Sequence, residues 1–355
     1  MPELLPSQAP LSYGVFDQVE YEDRPASEVY ADHLNLIELA DKSGFYCYHF
    51  SEHHGSPLSL TTSPGLMMAA ASQRTSRIRL GALVFGLPYH DPFRLANEVS
   101  MLDQLTGGRI ELGTGRGVSA LEATYFGIHD IDHSRGVYQE DLRIMLQAFT
   151  SDELTFKGEY HSYDTIPLWF HPAQRPYPPL WFPSSNEASI PFTAGHGLNT
   201  VMNNNFDKPR LRSLVQLYDE LWSEHLSDPD RMNGHVAMPK VGLSMKVVVA
   251  ATDAEAERIA RAAYDVWLYH VTYLSKRFGV PGLIQRNSYD DQVADGTMLA
   301  GSPETVRQQL GDLISATGIT YPLCSFAFGA MPNDAAMESM RLFSEQVMPK
   351  LASLK

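Results

Sequence analysis

The most constraining feature of the sequence is a series of eight short β-rich runs, most of them followed by a segment with helical periodicity. The runs are residues 12–16, 46–50, 78–85, 110–115, 180–185, 199–203, 242–250 and 322–328. Helical patterns cover 28–44, 92–108, 252–271 and 302–318. Eight strands that alternate with helices suit a closed barrel of parallel strands better than an open sheet. We therefore predict an α/β fold, a (β/α)8 TIM barrel.

Two stretches interrupt this alternation. Residues 150–178 are rich in Tyr, His and Pro, and residues 279–297 are polar without clear periodicity. We interpret both as irregular insertions on one domain that covers residues 1–355. In a TIM barrel the functional loops lie at the carboxyl ends of the strands, so candidate site residues are expected there.

Composition narrows the classes of function. The formal net charge is −15, which argues against nucleic acid or an anionic membrane as partner. No apolar run reaches the roughly 18 residues needed to span a bilayer. Residues 1–14 lack the basic and apolar regions of a signal peptide, so a cytoplasmic location is expected. Two cysteines, Cys47 and Cys324, allow no disulfide framework and are expected in the core.

The motif FSEHHG, residues 50–55, follows the second predicted strand and combines Glu52 with His53 and His54. Adjacent histidines in a loop make a poor metal site, and no HExxH helix adds ligands, so no metal is predicted. Imidazole titrates near neutrality, and a neighbouring carboxylate can select its tautomer. The motif therefore indicates proton transfer, with a structural loop as the alternative.

The stretch LGTGRG, residues 112–117, follows the fourth predicted strand. Gly113, Gly115 and Gly117 allow a close approach of the backbone, and Arg116 adds a fixed positive charge. This combination suits a phosphate group, although the G-x-G-x-G spacing is not that of a dinucleotide-binding fold. A tight strand exit with Arg116 in a structural ion pair is the alternative.

The stretch PSSNEAS, residues 183–189, follows the fifth predicted strand. Its hydroxyl and amide groups precede a helical pattern, as in anion sites at helix N-termini, and an ordinary helix cap explains them equally. Trp169, Trp181 and Trp267 are interpreted most simply as packing residues.

Three long segments together resemble the bacterial luciferase-like flavin monooxygenases. They are FYCYHFSEHHG, the block RIRLGALVFGLPYHDPFRLANEVSMLDQLTGGRIELGTGRG, and the tail from AGSPETVRQQL to SMRLFSEQVMPKL. The resemblance runs from about Tyr13 to the C-terminus and is weakest over 150–178 and 265–297. It implies a luciferase-like (β/α)8 barrel, usually dimeric, that binds reduced FMN supplied by a separate reductase.

The resemblance also implies roles for individual residues. His53, with Glu52, falls at the catalytic histidine. The cofactor-binding positions it implies are Leu83, Val84, Gly115, Arg116, Val118, Ser185, Asn186 and Ser189. Among them, Arg116 and Val118 fall on the phosphate site, and Leu83–Val84 falls where the flavin ring rests on a non-proline cis peptide. Gly115 replaces the reactive cysteine of the luciferases, so light emission is not expected.

The implied activity is a two-component monooxygenase that uses reduced FMN and O2, through C4a-hydroperoxide chemistry, on a hydrophobic small molecule such as an aldehyde, ketone or terpenoid. A deazaflavin-dependent oxidoreductase of the same fold and a non-catalytic flavin-binding protein are the alternatives. The expected partners are a flavin reductase and a second copy of the chain. Residues 279–297 are expected to close over the flavin as a lid. The substrate and the reductase are not determined by the sequence.

Overall fold

The computed structural model describes residues 4–117, 119–184, 187–202, 207–280 and 288–352. The strands are β1 (Gly14–Asp17), β2 (Cys47–Phe50), β3 (Arg79–Gly86), β4 (Ile110–Gly115), β5 (Glu153–Lys157), β6 (Ser162–Pro167), β7 (Leu180–Trp181), β8 (Thr200–Met202), β9 (Val241–Val249), β10 (Met298–Gly301) and β11 (Tyr321–Ser325). The helices are α1 (Ala26–Lys42), α2 (Pro64–Ser72), α3 (Pro92–Thr106), α4 (Ala120–Tyr125), α5 (Ile131–Thr150), α6 (Ile190–Gly195), α7 (Lys208–Glu224), α8 (Asp253–Phe278), α9 (Tyr289–Asp295), α10 (Pro303–Thr317), α11 (Asn333–Leu342) and α12 (Met348–Leu351).

Eight parallel strands form a nearly closed barrel in the order β1, β2, β3, β4, β7, β8, β9 and β11, and β11 returns to β1. Two bridges, Trp181 to Asn199 and Ser184 to Met202, join β7 to β8. Each of the eight β-rich runs of the sequence overlaps one of these strands. The prediction of a (β/α)8 barrel is therefore confirmed.

Alternation along the strands separates an outer core from the barrel interior. Along β9, the odd-numbered residues Val241, Leu243, Met245, Val247 and Val249 belong to the large core cluster between strands and helices. The even-numbered residues Gly242 and Ser244, in the part of β9 that pairs with β11, then face the interior. A smaller apolar cluster of Leu83, Trp181, Val201, Tyr321 and Leu323 fills the inside of the barrel.

The amino-terminal end of the barrel is closed by a buried polar network around Glu111. This carboxylate accepts a hydrogen bond from Tyr46 Oη at 2.5 Å and others from Arg79 Nε and Trp181 Nε1. Because each partner is itself packed in the interior, the network satisfies the buried charge. Open space for a ligand must therefore lie at the carboxyl end.

The carboxyl end is extended on one side by β9. The pairing of β9 with β11 stops at Lys246 opposite Ser325, and β10 pairs with the remaining residues of β9, from Lys246 to Val249. The result is a wall that rises above the end of β11 at the mouth of the barrel.

The two stretches predicted to be irregular contain regular elements. Residues 150–178 include the antiparallel hairpin of β5 and β6, and residues 279–297 include helix α9. The predicted helix starts are confirmed in detail: Thr252 accepts a hydrogen bond from the Glu255 amide, and Ser302 accepts one from the Thr305 amide. Within the described residues, no helix is both long and apolar enough to cross a membrane.

Candidate active site

The loop after β2 places Glu52 in a pocket of donors. Its carboxylate accepts a hydrogen bond from the Gly86 amide at 2.8 Å and lies 2.9 Å from His90 Nε2 and 3.1 Å from His54 Nε2. Burial by itself would raise the pKa of Glu52, but the hydrogen bonds from His54 and His90 bring the pKa below its usual value. Glu52 is therefore an ionised anchor that ties the β2 loop to β3.

His53 is oriented by a different carboxylate, Glu122. Its Nδ1 lies 3.2 Å from Glu122 Oε1, and the other oxygen of Glu122 accepts a hydrogen bond from the His54 amide at 3.1 Å. Glu122 is buried in the first turn of α4, where the Ser119 side chain caps the helix. Since an ionised Glu122 only accepts, His53 carries its proton on Nδ1 when neutral. Nε2, which has no partner within the described chain, is then left to accept a proton.

Glu122 is a candidate site residue that the sequence reasoning missed. The available signal was a carboxylate in the first turn of a short helix directly after the LGTGRG stretch, capped by Ser119. A first-turn glutamate is ordinarily read as a helix-capping preference, and only the tertiary structure brings it to His53.

Three aromatic rings form one side of the loop. Tyr89 and Phe126 stack with ring centroids 4.6 Å apart, and His54 meets both rings edge-on. Burial raises the pKa of the Tyr89 phenol, with nearby Glu122 and Glu52 acting in the same direction. These rings make the surroundings of the histidine pair apolar, as water exclusion requires.

The glycines of the LGTGRG stretch are explained by contacts within the protein. A Cβ on Gly113 would lie 2.0 Å from the Ala82 carbonyl oxygen, and one on Gly115 would lie 2.8 Å from Val84 Cγ2. Gly117 has a φ of +81°, and a Cβ there would lie 1.9 Å from the Tyr89 hydroxyl oxygen. The close approach predicted for this stretch is thus to β3 and to Tyr89.

Arg116 does not form the structural ion pair that the alternative interpretation required. Its side chain is half-buried and has no hydrogen-bond or ion-pair partner within the described residues. An unpaired guanidinium at a strand end is available to an anionic ligand.

Leu83 and Val84 line the barrel interior beside this strand exit. The peptide bond between them is cis, as predicted. Both side chains pack with the interior apolar cluster, Leu83 buried and Val84 half-exposed. They offer an apolar surface at the mouth of the barrel.

The remaining predicted positions are only partly described. Val118, Ser185 and Asn186 lie outside the described residues, and so does the part of the predicted lid over 281–287. Ser189 ends a short helical turn directly before α6, and its carbonyl accepts a hydrogen bond from Thr193 Oγ1.

The prediction for the two cysteines is confirmed, and the prediction for the tryptophans is partly wrong. Cys47 and Cys324 are fully buried, and burial raises the pKa of both thiols, so they belong to the core as predicted. Trp181 and Trp267 are buried, but Trp169 is 92% exposed, so its assignment as a packing residue was wrong. No cluster of three or more His, Cys, Asp or Glu within the described ranges is arranged to hold a metal ion.

Partial exposure marks the accessible part of the barrel. Four side chains on or beside its strands are partly exposed, namely Phe16, Val84, Ser244 and Lys246. A separate groove of about 530 Å³ lies outside the barrel, between α8 and the segment 330–338, and contains none of the predicted site residues. The mouth cavity, next to His53 and Arg116, is the candidate site.

Comparison with known proteins gives a consistent result. The model of the luciferase-like monooxygenase family matches residues 11–321. An uncharacterised protein of Sinorhizobium fredii, y4wF, is 33% identical over 99% of this chain and 100% of its own length. Limonene 1,2-monooxygenase of Rhodococcus erythropolis is 28% identical over 89% of this chain and 80% of its own length.

Solved structures share the fold. The oxygenating constituent of 3,6-diketocamphane monooxygenase from Pseudomonas putida, solved with FMN, aligns with a TM-score of 0.78 at 22% identity and covers 96% of this chain and 99% of its own. The coenzyme F420-dependent tetrahydromethanopterin reductase of Methanopyrus kandleri aligns with a TM-score of 0.71 at 18% identity over 96% and 99%.

Proposed function

Because the chain belongs to the luciferase-like monooxygenase family, we propose that it is the oxygenase component of a two-component, FMN-dependent monooxygenase. Its substrate is a hydrophobic small molecule such as an aldehyde, ketone or terpenoid. The observation that carries this proposal is the pairing of His53 with Glu122, which leaves Nε2 without a partner among the described residues, at the same end of the barrel as Arg116. We further propose that residues 1–355 act as one domain in the cytoplasm.

The residues at the mouth fit a flavin mononucleotide. Arg116, which has no partner in the part of the chain that the structure describes, supplies a cation for the phosphate, and Leu83 and Val84 supply an apolar surface for a flat ring. The phosphate site would be completed by Val118, Ser185, Asn186 and Ser189. Gly115 keeps the strand exit free of a side chain. When bound, reduced FMN supplies the reaction with O2, and the protein supplies position and shelter.

His53 manages a proton in this proposal. With Glu122 holding Nδ1, Nε2 can accept a proton from a reacting group and return it. The ionised Glu122 stabilises the imidazolium that forms meanwhile, as a buried carboxylate does for a catalytic histidine. Glu52 acts one step further away, because it fixes His54 and the loop rather than His53 itself.

The reduced flavin would come from a separate flavin reductase. The fold neighbour that is an oxygenating constituent of a larger system supports this division of labour. The fold is also used with coenzyme F420, so a deazaflavin-dependent oxidoreductase is the second candidate. A flavin-binding protein without catalysis is disfavoured by the His53–Glu122 pair, which a binding role does not require.

A single experiment separates these functions. Purified protein is titrated without oxygen against reduced FMN and against reduced coenzyme F420, and the complexes are then mixed rapidly with O2. We expect reduced FMN to bind and its reoxidation to pass through a transient absorbance that differs from both free flavin forms. Binding of F420 alone, with hydride exchange independent of O2, would establish the second candidate. Binding of FMN without any change in its reaction with O2 would leave a binding protein.

We also propose that the protein is a homodimer. Exposed apolar side chains occur on α2 and α3, which pack on each other, and on the segment after β6, namely Leu66, Met101, Leu105, Trp169 and Phe170. That segment is bound to α3 by a hydrogen bond from Gln104 to the His171 carbonyl. A contiguous apolar face of this kind is typical of a protein interface.

A further inference from the structure

A second polar cluster lies at the mouth of the barrel and takes no part in the proposed roles of His53 and Arg116. It consists of Glu20, His270 and Lys246, with Trp267 beside them. Lys246 lies at the level where β11 ends and β9 continues, and its ammonium lies over the ring of Trp267 in α8 and near that of Phe328 after β11. A lysine ammonium in this place needs either a ligand as its hydrogen-bond partner or a negatively charged group of the protein.

The protein does not neutralise Lys246 directly. Its ammonium lies 3.3 Å from the ring centroid of Trp267, with Phe328 at 5.9 Å, and no described residue forms a hydrogen bond or ion pair with it. Burial lowers the pKa of Lys246 to about 7, although nearby Glu20 acts to raise it. One side of the ammonium is covered by an aromatic face, and its hydrogen-bond donors are left unpaired.

Glu20 contributes a second unpaired atom. Its Oε2 lies 2.6 Å from His270 Nδ1, but Oε1 is buried and has no hydrogen-bond partner within the described residues. Buried polar atoms are nearly always paired in folded proteins, so unpaired ones at a cavity need an explanation. A polar ligand group that enters the cavity is the simplest one.

This cluster is adjacent to the histidine loop. In the segment that carries Glu20, the Tyr21 amide donates to the Pro57 carbonyl, and the Val19 carbonyl accepts from the Leu60 amide. The segment therefore runs alongside the residues that follow His53. Gln18 in the same segment accepts a hydrogen bond from Trp267 Nε1 at 3.2 Å. A ligand in the mouth can therefore contact both the Lys246 cluster and the His53 loop.

We infer that Lys246 binds the polar end of the substrate, which is an acceptor oxygen of a carbonyl or carboxylate group on an apolar body that lies against Phe16. The inference rests on the proposed function, because it specifies the substrate class of the same cavity. The ammonium donates to the oxygen, Trp267 holds the ammonium from behind, and Glu20 favours its charged state. Carbonyl and carboxylate ligands share the acceptor and differ in charge, so the test includes both.

The inference has a definite pH dependence. The charged group nearest Lys246 is Glu20, from the segment after β1, and Glu20 is in turn paired with His270 of α8. The residues opposite Lys246 on β11 and β10, Ser325 and Met298, are neutral. The acceptor oxygen binds the protonated amine, so affinity is full below the pKa of Lys246 and falls as the pH rises through about 7. Between pH 6 and pH 8 the protonated fraction, and with it the affinity, falls roughly tenfold.

The test uses three probes with one ring in common: acetophenone, benzoate and toluene. Their dissociation constants are measured by equilibrium dialysis with the full-length protein and with Lys246→Met, Lys246→Arg and Lys240→Met. Lys240 is the matched control, since it is also a lysine over an aromatic ring, Tyr46 at 3.9 Å, but lies at the start of β9 near the closed end of the barrel.

We expect Lys246→Met to weaken acetophenone and benzoate at least tenfold and toluene less than twofold, and Lys240→Met to change none of them. Lys246→Arg should keep benzoate binding and remove its loss between pH 6 and pH 8. The pH series on the unaltered protein is valid even if a variant fails to fold.

The inference is overturned if the unaltered protein binds neither oxygenated probe, if its affinity for them is independent of pH, or if Lys246→Met weakens toluene as much as acetophenone. An equal effect of Lys240→Met also overturns it. Binding of reduced FMN to the unaltered protein is measured separately. If FMN does not bind but the probes behave as expected, the proposed function is refuted and Lys246 remains a ligand site. If FMN binds but the probes do not behave as expected, only the role of Lys246 is refuted.

Discussion

At the scale of residues, the proposed proton chemistry depends on His53 and Glu122, which lie 69 positions apart in the chain. The motif FSEHHG made His53 a candidate and left a structural loop as the alternative, and the family resemblance implied its catalytic role. Its own carboxylate, Glu52, points to His54 and His90 instead. Glu122 could not be assigned to His53 from the sequence, since nothing local relates the first turn of α4 to the loop after β2.

His53→Ala should leave binding of reduced FMN nearly intact and lower turnover with any accepted substrate at least about a hundredfold, the low end for acid–base catalysis. His54→Ala should have a milder effect, because His54 bonds to Glu52. Steady-state kinetics with substrate-dependent O2 uptake checks both. Turnover like that of the unaltered protein in His53→Ala would remove this residue from the chemistry.

Glu122→Gln is the companion variant. It keeps an acceptor for His53 Nδ1 but removes the negative charge that stabilises the imidazolium. We therefore expect Glu122→Gln to have a turnover between those of the unaltered protein and His53→Ala. Its free energy of unfolding should change by less than that of Glu122→Ala does. A turnover equal to that of the unaltered protein would leave Glu122 a purely structural residue.

Arg116→Ala should weaken the binding of reduced FMN by about 1.5–3 kcal/mol, the usual contribution of a hydrogen bond to a charged group. Arg135→Ala serves as control, because Arg135 is an exposed arginine paired with Asp132 on α5. Anaerobic fluorescence titration measures both affinities. An unchanged affinity in Arg116→Ala would exclude Arg116 from the phosphate site.

At the scale of elements, the barrel strands could be predicted because each is a short buried run with a clear end. α3 and α10 were also predicted nearly to the residue, since Gly107 and Ser302 are strong local signals at their ends. The hairpin of β5 and β6 was missed because both strands are short and mostly exposed, with Leu154 as their one fully buried residue. β10 was missed because its four residues are paired only with the extension of β9.

The contact between β3 and β4 gives a prediction about stability. Gly113→Ala places a Cβ against the backbone carbonyl of Ala82, which cannot rotate away, so the strands must separate at a cost of about 1–3 kcal/mol or more. Gly65→Ala in α2 is the control, because its Cβ would meet only Leu102 Cδ1 at 3.6 Å and alanine favours a helix. Urea unfolding compares them. Equal midpoints would show that β3 and β4 can move apart freely.

At the scale of the whole molecule, a net charge of −15 is combined with one apolar face on α2 and α3. The like charges of two copies of the chain repel each other, and salt screens this repulsion. Burial of the apolar face favours association at contact and does not depend on charge. We therefore expect a dimer that is tighter at high than at low salt, the opposite of an interface held by ion pairs.

Leu66→Glu combined with Met101→Glu should convert this dimer to a monomer without unfolding it, because both side chains are exposed in the single chain, 74% and 57%. Tyr269→Glu, at an exposed site on α8, is the control. Light scattering after size-exclusion chromatography measures the mass at two salt concentrations. A monomeric unaltered protein, or a dimer that survives both substitutions, would refute the assignment of this face.

The packing of Gly115 against Val84 has an evolutionary consequence. A side chain at position 115 would begin 2.8 Å from the Cγ2 methyl of Val84, so Val84 would have to shift to admit it. The cysteine that the resemblance places at Gly115 in the luciferases would therefore be accepted more easily after Val84 is replaced by alanine or glycine. Relatives that carry the thiol should show a small residue at the position of Val84.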